Sequence, residues 1–387
     1  MWGMTSTPEI DEQFMRRAIR LAMNGRGRVE PNPMVGCVIV KERRVIGEGF
    51  HERYGGPHAE PNALGSCSES PEGGTAYVTL EPCCHLNKQT PPCVPRLIEA
   101  KVGRVVVGCV DPNPAVDGNG ARQLRQAGIV VDGPVLEAEC RQLIAPFIAG
   151  IAHHRPYVTL KWAQTADGKI AGPGGRRMQI GNQRSSRTVH ALRSRSEVII
   201  VGINTVLTDD PLLTARDSPA GANSQSLRVV LDSSLRISPT ARLFAPGESS
   251  TSALVYHGVG GMADRIRELA MAGIPLRALP LSNDGRLSLP ALLEDLYDEP
   301  TTHVLVESGP TLAAGFINDN LADRIWVFRS PKVVNDASAP SAVEIPSHYI
   351  ETGRVELDGD VLTEYLNPRS PVFFAPEPSA DLVLPRG

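Results

Sequence analysis

The feature that most narrows what this chain can fold into is a set of reactive side chains spread over three short runs. These are His58-Ala59-Glu60, Glu81-Pro82-Cys83-Cys84-His85 and Thr90-Pro91-Pro92-Cys93. To act together they require a fold that brings two helix starts and the end of a strand to one point. All seven cysteines lie between Cys37 and Cys140, and the second half has none. An odd, clustered set does not read as a secreted disulfide framework. It reads as metal binding or catalysis, with buried thiols as the plain alternative.

The pattern around these runs bounds the fold. Thr7-Pro8-Glu9 reads as a helix start, with an N-cap, a proline in the first turn and then an acid. Ile10, Phe14, Ala18, Leu21 and Ala22 follow at helical spacing, and Asn24-Gly25 ends the helix. Apolar runs predict strands over 35–40, 44–50, 76–80, 102–110 and 129–131. Helices are predicted over 58–64, 91–100, 120–127 and 135–148. This alternation predicts an α/β sheet flanked by helices over residues 1–150. A boundary is expected over 150–156, and a second α/β unit over 151–387. Its strands are predicted over 157–163, 198–201, 228–231, 254–256, 303–306 and 324–328, and its helices over 184–195, 262–271, 289–297 and 311–318. Residues 211–227 read as a polar loop, and the Pro-rich tail from Pro368 as irregular.

One histidine and two thiolates suit zinc, a borderline-soft cation. Three protein ligands leave a fourth position for water, as hydrolytic zinc sites do. His58, Cys83 and Cys93 are the expected ligands. Glu60, on the first turn of the helix that His58 begins, is placed to move protons without ligating. Cys93 falls in the first turn of another helix, where the dipole favours a thiolate. The H-x-E and P-C elements match the pattern of zinc deaminases, although nine residues rather than two separate Cys83 from Cys93. A structural zinc site would want a fourth ligand, for which Cys84 or His85 are the candidates. Adjacent residues rarely aim at one metal, so Cys84 is expected to be a non-ligand. His85 is open between a substrate contact and a loop-stabilising role. Cys37, Cys67, Cys109 and Cys140 read as core or surface thiols.

Net charge is -4, with 5% aromatic residues. Residues 1–150 are close to charge balance, whereas a protein gripping a nucleic-acid backbone usually shows a basic excess. A small-molecule substrate is therefore expected, with no nucleic acid. No stretch approaches the ~20 apolar residues of a membrane span, and residues 1–11 lack the basic start and apolar core of a signal peptide. Cytoplasmic residence is the expectation.

These residues resemble the cytidine-deaminase superfamily and, more narrowly, the family of bifunctional riboflavin-biosynthesis deaminase/reductases. In the first half the narrower resemblance rests on Pro31-Asn32-Pro33-Met34-Val35-Gly36, Pro57-His58-Ala59-Glu60, Tyr77-Val78-Thr79-Leu80-Glu81-Pro82-Cys83, Thr90-Pro91-Pro92-Cys93 and Asp111-Pro112-Asn113-Pro114. In the second half it rests on Tyr157-Val158-Thr159-Leu160-Lys161, Asp167-Gly168-Lys169, Val201-Gly202, Thr205-Val206, Asp209-Asp210-Pro211, Val306-Glu307 and Gly309-Pro310-Thr311. The two Pro-Asn-Pro loops are not needed for zinc, and read either as walls of a substrate pocket or as tight turns.

The resemblance implies a three-layer cytidine-deaminase-like sandwich followed by a dihydrofolate-reductase-like α/β domain. It implies that the first domain removes the 2-amino group of a diaminopyrimidinone ribosyl phosphate. The second would then reduce the ribosyl group to ribityl with NADPH. It places Thr205, Asp209, Ser233, Gly309, Pro310, Thr311 and Gly315 at NADPH, and Arg193, Leu213, Arg216 and Glu307 at the substrate. No G-x-G-x-x-G follows a strand, so a Rossmann domain is not expected. Gly309-Pro310-Thr311, between a strand and a helix, reads as an anion site or as a plain turn. A homodimer is the expected assembly.

This chain departs from the family pattern at several points. Gln179-Ile180-Gly181 stands where the pattern has Trp-Ile-Thr, Asn335 where it has glycine, and Ile144 where it prefers asparagine. The loop around Asn87-Lys88-Gln89 is one residue longer. A deaminase whose second domain serves only dimerisation is the alternative these departures leave.

Overall fold

The computed structural model describes residues 7–86, 90–215, 226–245, 253–260 and 262–375. The chain divides into two compact units, Met1–Ala152 and His153–Gly387.

The first unit runs α1 (Pro8–Ala22), β1 (Gly36–Lys41), β2 (Arg44–Phe50), α2 (Ala59–Gly65), β3 (Thr75–Leu80) and α3 (Cys93–Glu99). It continues through β4 (Arg104–Cys109), α4 (Asn119–Gln126), β5 (Val130–Asp132), α5 (Glu137–Leu143) and α6 (Ala145–His153). The sheet order is β2-β1-β3-β4-β5. β1 is antiparallel to both neighbours, and β3, β4 and β5 are parallel. Side chains alternate across it. Cys37, Ile39, Val78, Val105 and Val107 pack with Ala59 and Ala63 of α2, Val94 and Leu97 of α3 and Leu124 of α4. On the other face the Tyr77 ring lies 5.2 Å from that of Phe14 on α1. The Tyr77 hydroxyl donates to Asp11, which Arg104 also grips through two hydrogen bonds. Helices on both faces make a three-layer sandwich.

Two local features position the site. α2 lies close on β2 because Gly49 has no side chain: a Cβ there would stand 2.3 Å from the backbone nitrogen of Ala63 and 2.7 Å from the carbonyl oxygen of Ala59. The strand β3 runs into Glu81, whose buried carboxylate accepts from the backbone N–H groups of Gly118 (2.9 Å) and Ala121 (3.0 Å) at the start of α4.

Some expectations are corrected. The buried stripe of α1 is Phe14, Met15, Ala18, Ile19 and Ala22, whereas Ile10 and Leu21 are half-buried. The single helix expected over 135–148 is two helices, α5 and α6. Pro146, in the first turn of α6, has no N–H to offer the preceding turn.

The second unit runs β6 (Tyr157–Gln164), α7 (Gln183–Arg193), β7 (Val198–Gly202), α8 (Ile203–Asp209), β8 (Leu227–Leu231), β9 (Ala253–Gly258) and α9 (Ala263–Met271). Then come β10 (Leu276–Leu279), α10 (Leu289–Asp298), β11 (His303–Glu307), α11 (Pro310–Asn318), β12 (Arg324–Arg329), β13 (Ile350–Leu357) and β14 (Asp360–Leu366). They build a nine-stranded sheet of order β10-β9-β8-β7-β11-β6-β12-β14-β13. It is parallel except that β14 runs against both β12 and β13. Val158, Leu160, Ile200 and Val306 pack on Leu292, Leu293 and Leu296 of α10 and Phe316 of α11. The opposite face buries Val201 and Val230 with Val206 of α8, and Leu305 and Trp326 with Leu192 of α7. The helix α8, the strand β10 and the hairpin β13–β14 have no counterpart in the pattern of the sequence. From Pro368 to the last described residue there is neither helix nor strand.

Candidate functional site

In the first unit, His58, Cys83 and Cys93 each offer a ligand atom within 4.8 Å of the others. His58 is the N-cap of α2, in extended backbone, and Cys93 opens α3. The two ends of the cysteine loop are clipped together, since the Cys93 and Val94 N–H groups donate to the Cys83 carbonyl at 3.0 and 3.2 Å. The Cys93 N–H also reaches the Cys83 sulfur at 3.4 Å. His58 Nδ1 lies 3.6 Å from Cys83 Sγ and 3.5 Å from Cys93 Sγ. A tetrahedral zinc at ordinary Zn–S and Zn–N lengths separates such a nitrogen and sulfur by about 3.6 Å, so the donor set fits the ion. Cys84 is not part of this set. It is half-buried and packs beside Val116.

Glu60, one residue into α2, is 3% exposed, and its Oε2 is buried without a hydrogen-bond partner. Burial pushes its pKa up, and the neighbouring Cys83 charge adds to the rise. A carboxyl so placed is suited to accept and release a proton in turn.

His58, Cys83 and Glu60 line a cavity of about 290 Å³, which also takes in Asn32, His51, Asp111, Asn113 and His85. Both Pro-Asn-Pro loops therefore reach the cavity. Asn113 combines this with a turn, its Oδ1 accepting from the Ala115 N–H at 3.0 Å. His85, left open by the sequence, has a buried Nδ1 without a partner. The sequence reading missed His51, a lone histidine after a strand with no spacing signal. Its Nδ1 lies 2.9 Å from the Pro57 carbonyl and its Nε2 3.1 Å from Asn32 Nδ2. The carbonyl can only accept, so Nδ1 carries the proton and Nε2 accepts from Asn32.

In the second unit, β8, β7 and β11 are adjacent and parallel. Their carboxyl ends carry Ser233, the α8 residues Thr205 and Asp209, and Gly309, Pro310 and Thr311 at the start of α11. Ligands of open α/β sheets bind at this edge. Gly309 is the N-cap of α11, with open space around its Cα, and Gly202 at the end of β7 faces Leu312. Gly315, one turn further on, instead packs under Leu289. Asp209 is half-buried, which raises its pKa, while Arg177 at 3.7 Å opposes that rise.

Arg193 and Glu307 face each other. The guanidinium holds both carboxylate oxygens and also donates to the Thr214 carbonyl. Lys161, paired with Glu307 across β6 and β11, completes the group at 3.4 Å. Burial would raise the pKa of Glu307, but Arg193 and Lys161 overcome it and hold the carboxyl at about 2. Leu213 is buried nearby in sequence, at φ 55°. Arg216 and Asn87-Lys88-Gln89 lie outside the described residues.

Two of the departures have a structural reading. Asn335 sits at φ 53°, a left-handed conformation that asparagine tolerates better than other residues with side chains. Gly181 leaves space for Asp360, whose Oδ2 would lie 3.3 Å from an added Cβ. That carboxylate accepts from the Asn182 N–H at 2.7 Å and the Ser185 hydroxyl at 2.6 Å, tying the β13–β14 hairpin to the start of α7.

Comparison with known proteins supplies the family. Residues 8–109 match the model of the cytidine and deoxycytidylate deaminase zinc-binding region, and residues 156–348 that of the RibD C-terminal domain. The chain is 39% identical to the riboflavin biosynthesis protein RibD of Aquifex aeolicus, over 85% of this chain and 89% of that protein. It is 38% identical to RibD of Escherichia coli, over 84% and 88%. Among solved structures it resembles RibD of Acinetobacter baumannii (TM-score 0.78, 34% identity, covering 93% of this chain and 99% of that one). It equally resembles a diaminohydroxyphosphoribosylaminopyrimidine deaminase/5-amino-6-(5-phosphoribosylamino)uracil reductase of Thermotoga maritima (TM-score 0.78, 35% identity, the same coverage). A cytidine-deaminase-like domain thus precedes a dihydrofolate-reductase-like RibD C-terminal domain, with zinc and NADPH as their cofactors. The chain belongs to the RibD family of bifunctional riboflavin-biosynthesis enzymes, in which a zinc-dependent deamination is followed by an NADPH-dependent reduction.

Proposed function

We propose that the substrate of the first unit is a diaminopyrimidinone ribosyl phosphate, and that the second unit reduces the ribosyl group of the deaminated product to ribityl. The observation that carries the first step is the convergence of His58, Cys83 and Cys93 beside Glu60, whose buried Oε2 has no hydrogen-bond partner. The three residues hold zinc, which when bound supplies activation of water near neutral pH. Glu60 takes one proton from the attacking water and passes it to the ring nitrogen beside C2, then carries the second proton, from the new C2 hydroxyl, to the 2-amino nitrogen as the C2–N bond breaks. That nitrogen leaves as ammonia while its carbon becomes a carbonyl. Asn32, His51, Asp111 and Asn113 line the cavity in which the pyrimidine is held.

In the second unit NADPH, when bound, supplies the hydride. The open N-terminus of α11 offers the backbone N–H groups of Gly309 and Thr311 to a cofactor phosphate, and Pro310 between them holds the turn. Thr205, Asp209 and Ser233 complete the cofactor side, while Gly315 lets α11 pack under Leu289. Arg193 fixes the Glu307 carboxylate toward the substrate, and Leu213 and Arg216 are the further substrate contacts that the family resemblance implies. The charge balance and low aromatic content support a small-molecule substrate rather than nucleic acid. Among the described residues no helix is long and apolar enough to cross a membrane. We place the protein in the cytoplasm as a homodimer, and light scattering tests the assembly.

The decisive assay supplies the diaminopyrimidinone with and without NADPH and follows ammonia release and NADPH loss separately. Both should occur, with ammonia release independent of NADPH. Ammonia release without NADPH oxidation, at high cofactor concentration, would leave a deaminase only.

A further inference from the structure

Thr90 stands immediately before Pro91-Pro92 and Cys93, and its hydroxyl oxygen lies 3.1 Å from His58 Nε2. The opposite nitrogen of the same ring, Nδ1, is the one that faces the two sulfurs, at 3.5 and 3.6 Å. An imidazole that offers Nδ1 to a metal carries its proton on Nε2, and that N–H needs an acceptor. We propose that Thr90 is a positioning residue for the zinc centre. In this proposal its hydroxyl accepts the Nε2–H of His58 and so locks the tautomer and ring plane that present Nδ1 to the metal. The proposal rests on the reading of His58, Cys83 and Cys93 as the ligands.

The local sequence explains why this residue can do so. Proline fixes φ, which is -63° at Pro92, and Pro91 and Pro92 restrict the residues before them, Thr90 and Pro91, to extended backbone. Thr90-Pro91-Pro92-Cys93 is therefore a stiff bracket. One end carries a ligand sulfur, anchored by the Cys93 N–H on the Cys83 carbonyl. The other end carries the acceptor for the far side of the histidine ring. The two ends grip the imidazole from both nitrogen edges, so the cysteine loop orients a ligand that belongs to a different helix. Thr90 also lines the cavity that holds Glu60.

The test uses the full-length zinc protein and the variants Thr90→Val, Thr90→Ser and Cys83→Ser. Zinc content is measured after purification, and zinc affinity by competition with a chromogenic chelator. Outer partners of metal-bound histidines typically contribute 10–100-fold in metal affinity. Thr90→Val keeps the shape and loses the acceptor, so its affinity should fall by about that factor. Thr90→Ser should stay within a few-fold of wild type, because it restores the hydroxyl. In long-range proton–nitrogen spectra the His58 Nε2–H should be protected from exchange in the wild type and in Thr90→Ser, and exposed in Thr90→Val. Wild-type affinity in Thr90→Val, or equal losses in Thr90→Val and Thr90→Ser, would overturn the proposal, since the first removes the effect and the second assigns it to loop packing. Cys83→Ser separates the two readings. If it loses zinc, the ligand set stands whatever Thr90 does; if it keeps zinc, the ligand set fails and the role of Thr90 falls with it.

Discussion

At the scale of single residues, the two halves place carboxylates in opposite electrostatic settings. Glu60 is buried beside a thiolate and pushed toward its protonated form. Glu307 is buried beside Arg193 and Lys161 and held ionised. The first suits a group that must carry a proton. Glu60→Gln keeps size and polarity but cannot do so, and deamination should fall by at least about 10²–10⁴-fold. Zinc content, measured on the same sample, should be unchanged; near-normal ammonia release would refute the role. The second setting has a consequence for stability. The folded pKa of Glu307 lies below its ordinary 4.5, at about 2. Its stabilisation is therefore fully present above about pH 4.5 and lost as pH falls toward 2, because the unfolded chain binds the proton first. Glu307→Gln should flatten this part of the acid-unfolding curve. At neutral pH it should also destabilise the second unit by about 3 kcal/mol, since two cations remain buried without their counter-ion. A thermal melt at several pH values checks both.

At the scale of elements, the metal site depends on how closely α2 approaches the sheet. Gly47 and Gly49 of β2 leave no room for side chains, a Cβ on Gly47 standing 2.5 Å from the Ala63 carbonyl oxygen. Gly49→Ala should push α2 outward at a cost of about 1–3 kcal/mol, carrying His58 and Glu60 with it. Zinc affinity and deamination should fall together while NADPH oxidation on deaminated substrate persists. An unchanged zinc affinity would show that the helix has slack. The hairpin β13–β14 plays a comparable part in the second unit through the Asp360 carboxylate on the start of α7, the helix whose other end bears Arg193.

For the whole molecule, the two sets of site residues belong to different compact units, Asn32 through Asn113 in one and Lys161 through Gly315 in the other. No residue named for one chemistry serves the other, and distant independent sites respond additively. Glu60→Gln should still reduce supplied deaminated substrate at the wild-type rate. Asp209→Ala should still release ammonia but oxidise NADPH poorly. If Glu60→Gln abolished reduction of supplied intermediate, the units would be coupled and the modular reading wrong.

How much of this was legible beforehand differs between residue types. His58, Cys83 and Cys93 could be read from the sequence because few residue types bind zinc and each stood at a helix start or after a strand end with its own local signal. The strands from β6 to β12 were largely visible for a similar reason: buried parallel strands are short, nearly continuous apolar runs. What stayed hidden depends on partners far along the chain. A seven-residue helix such as α8 has too few turns to be stable alone and exists because Ile203 and Val206 enter a core with Val201 and Val230. The edge strand β13 is mostly exposed or half-buried and lacks an apolar signal; pairing with β14 makes it a strand. His51 carries no motif that separates it from any other histidine, and Thr90, although it opens the Thr90-Pro91-Pro92-Cys93 run, carries nothing there that points it at a histidine. Only the folded chain turns one toward Asn32 and the other toward His58. The tertiary structure likewise decided that Arg193 spends its hydrogen bonds on Glu307, because two opposite charges buried side by side pair with each other.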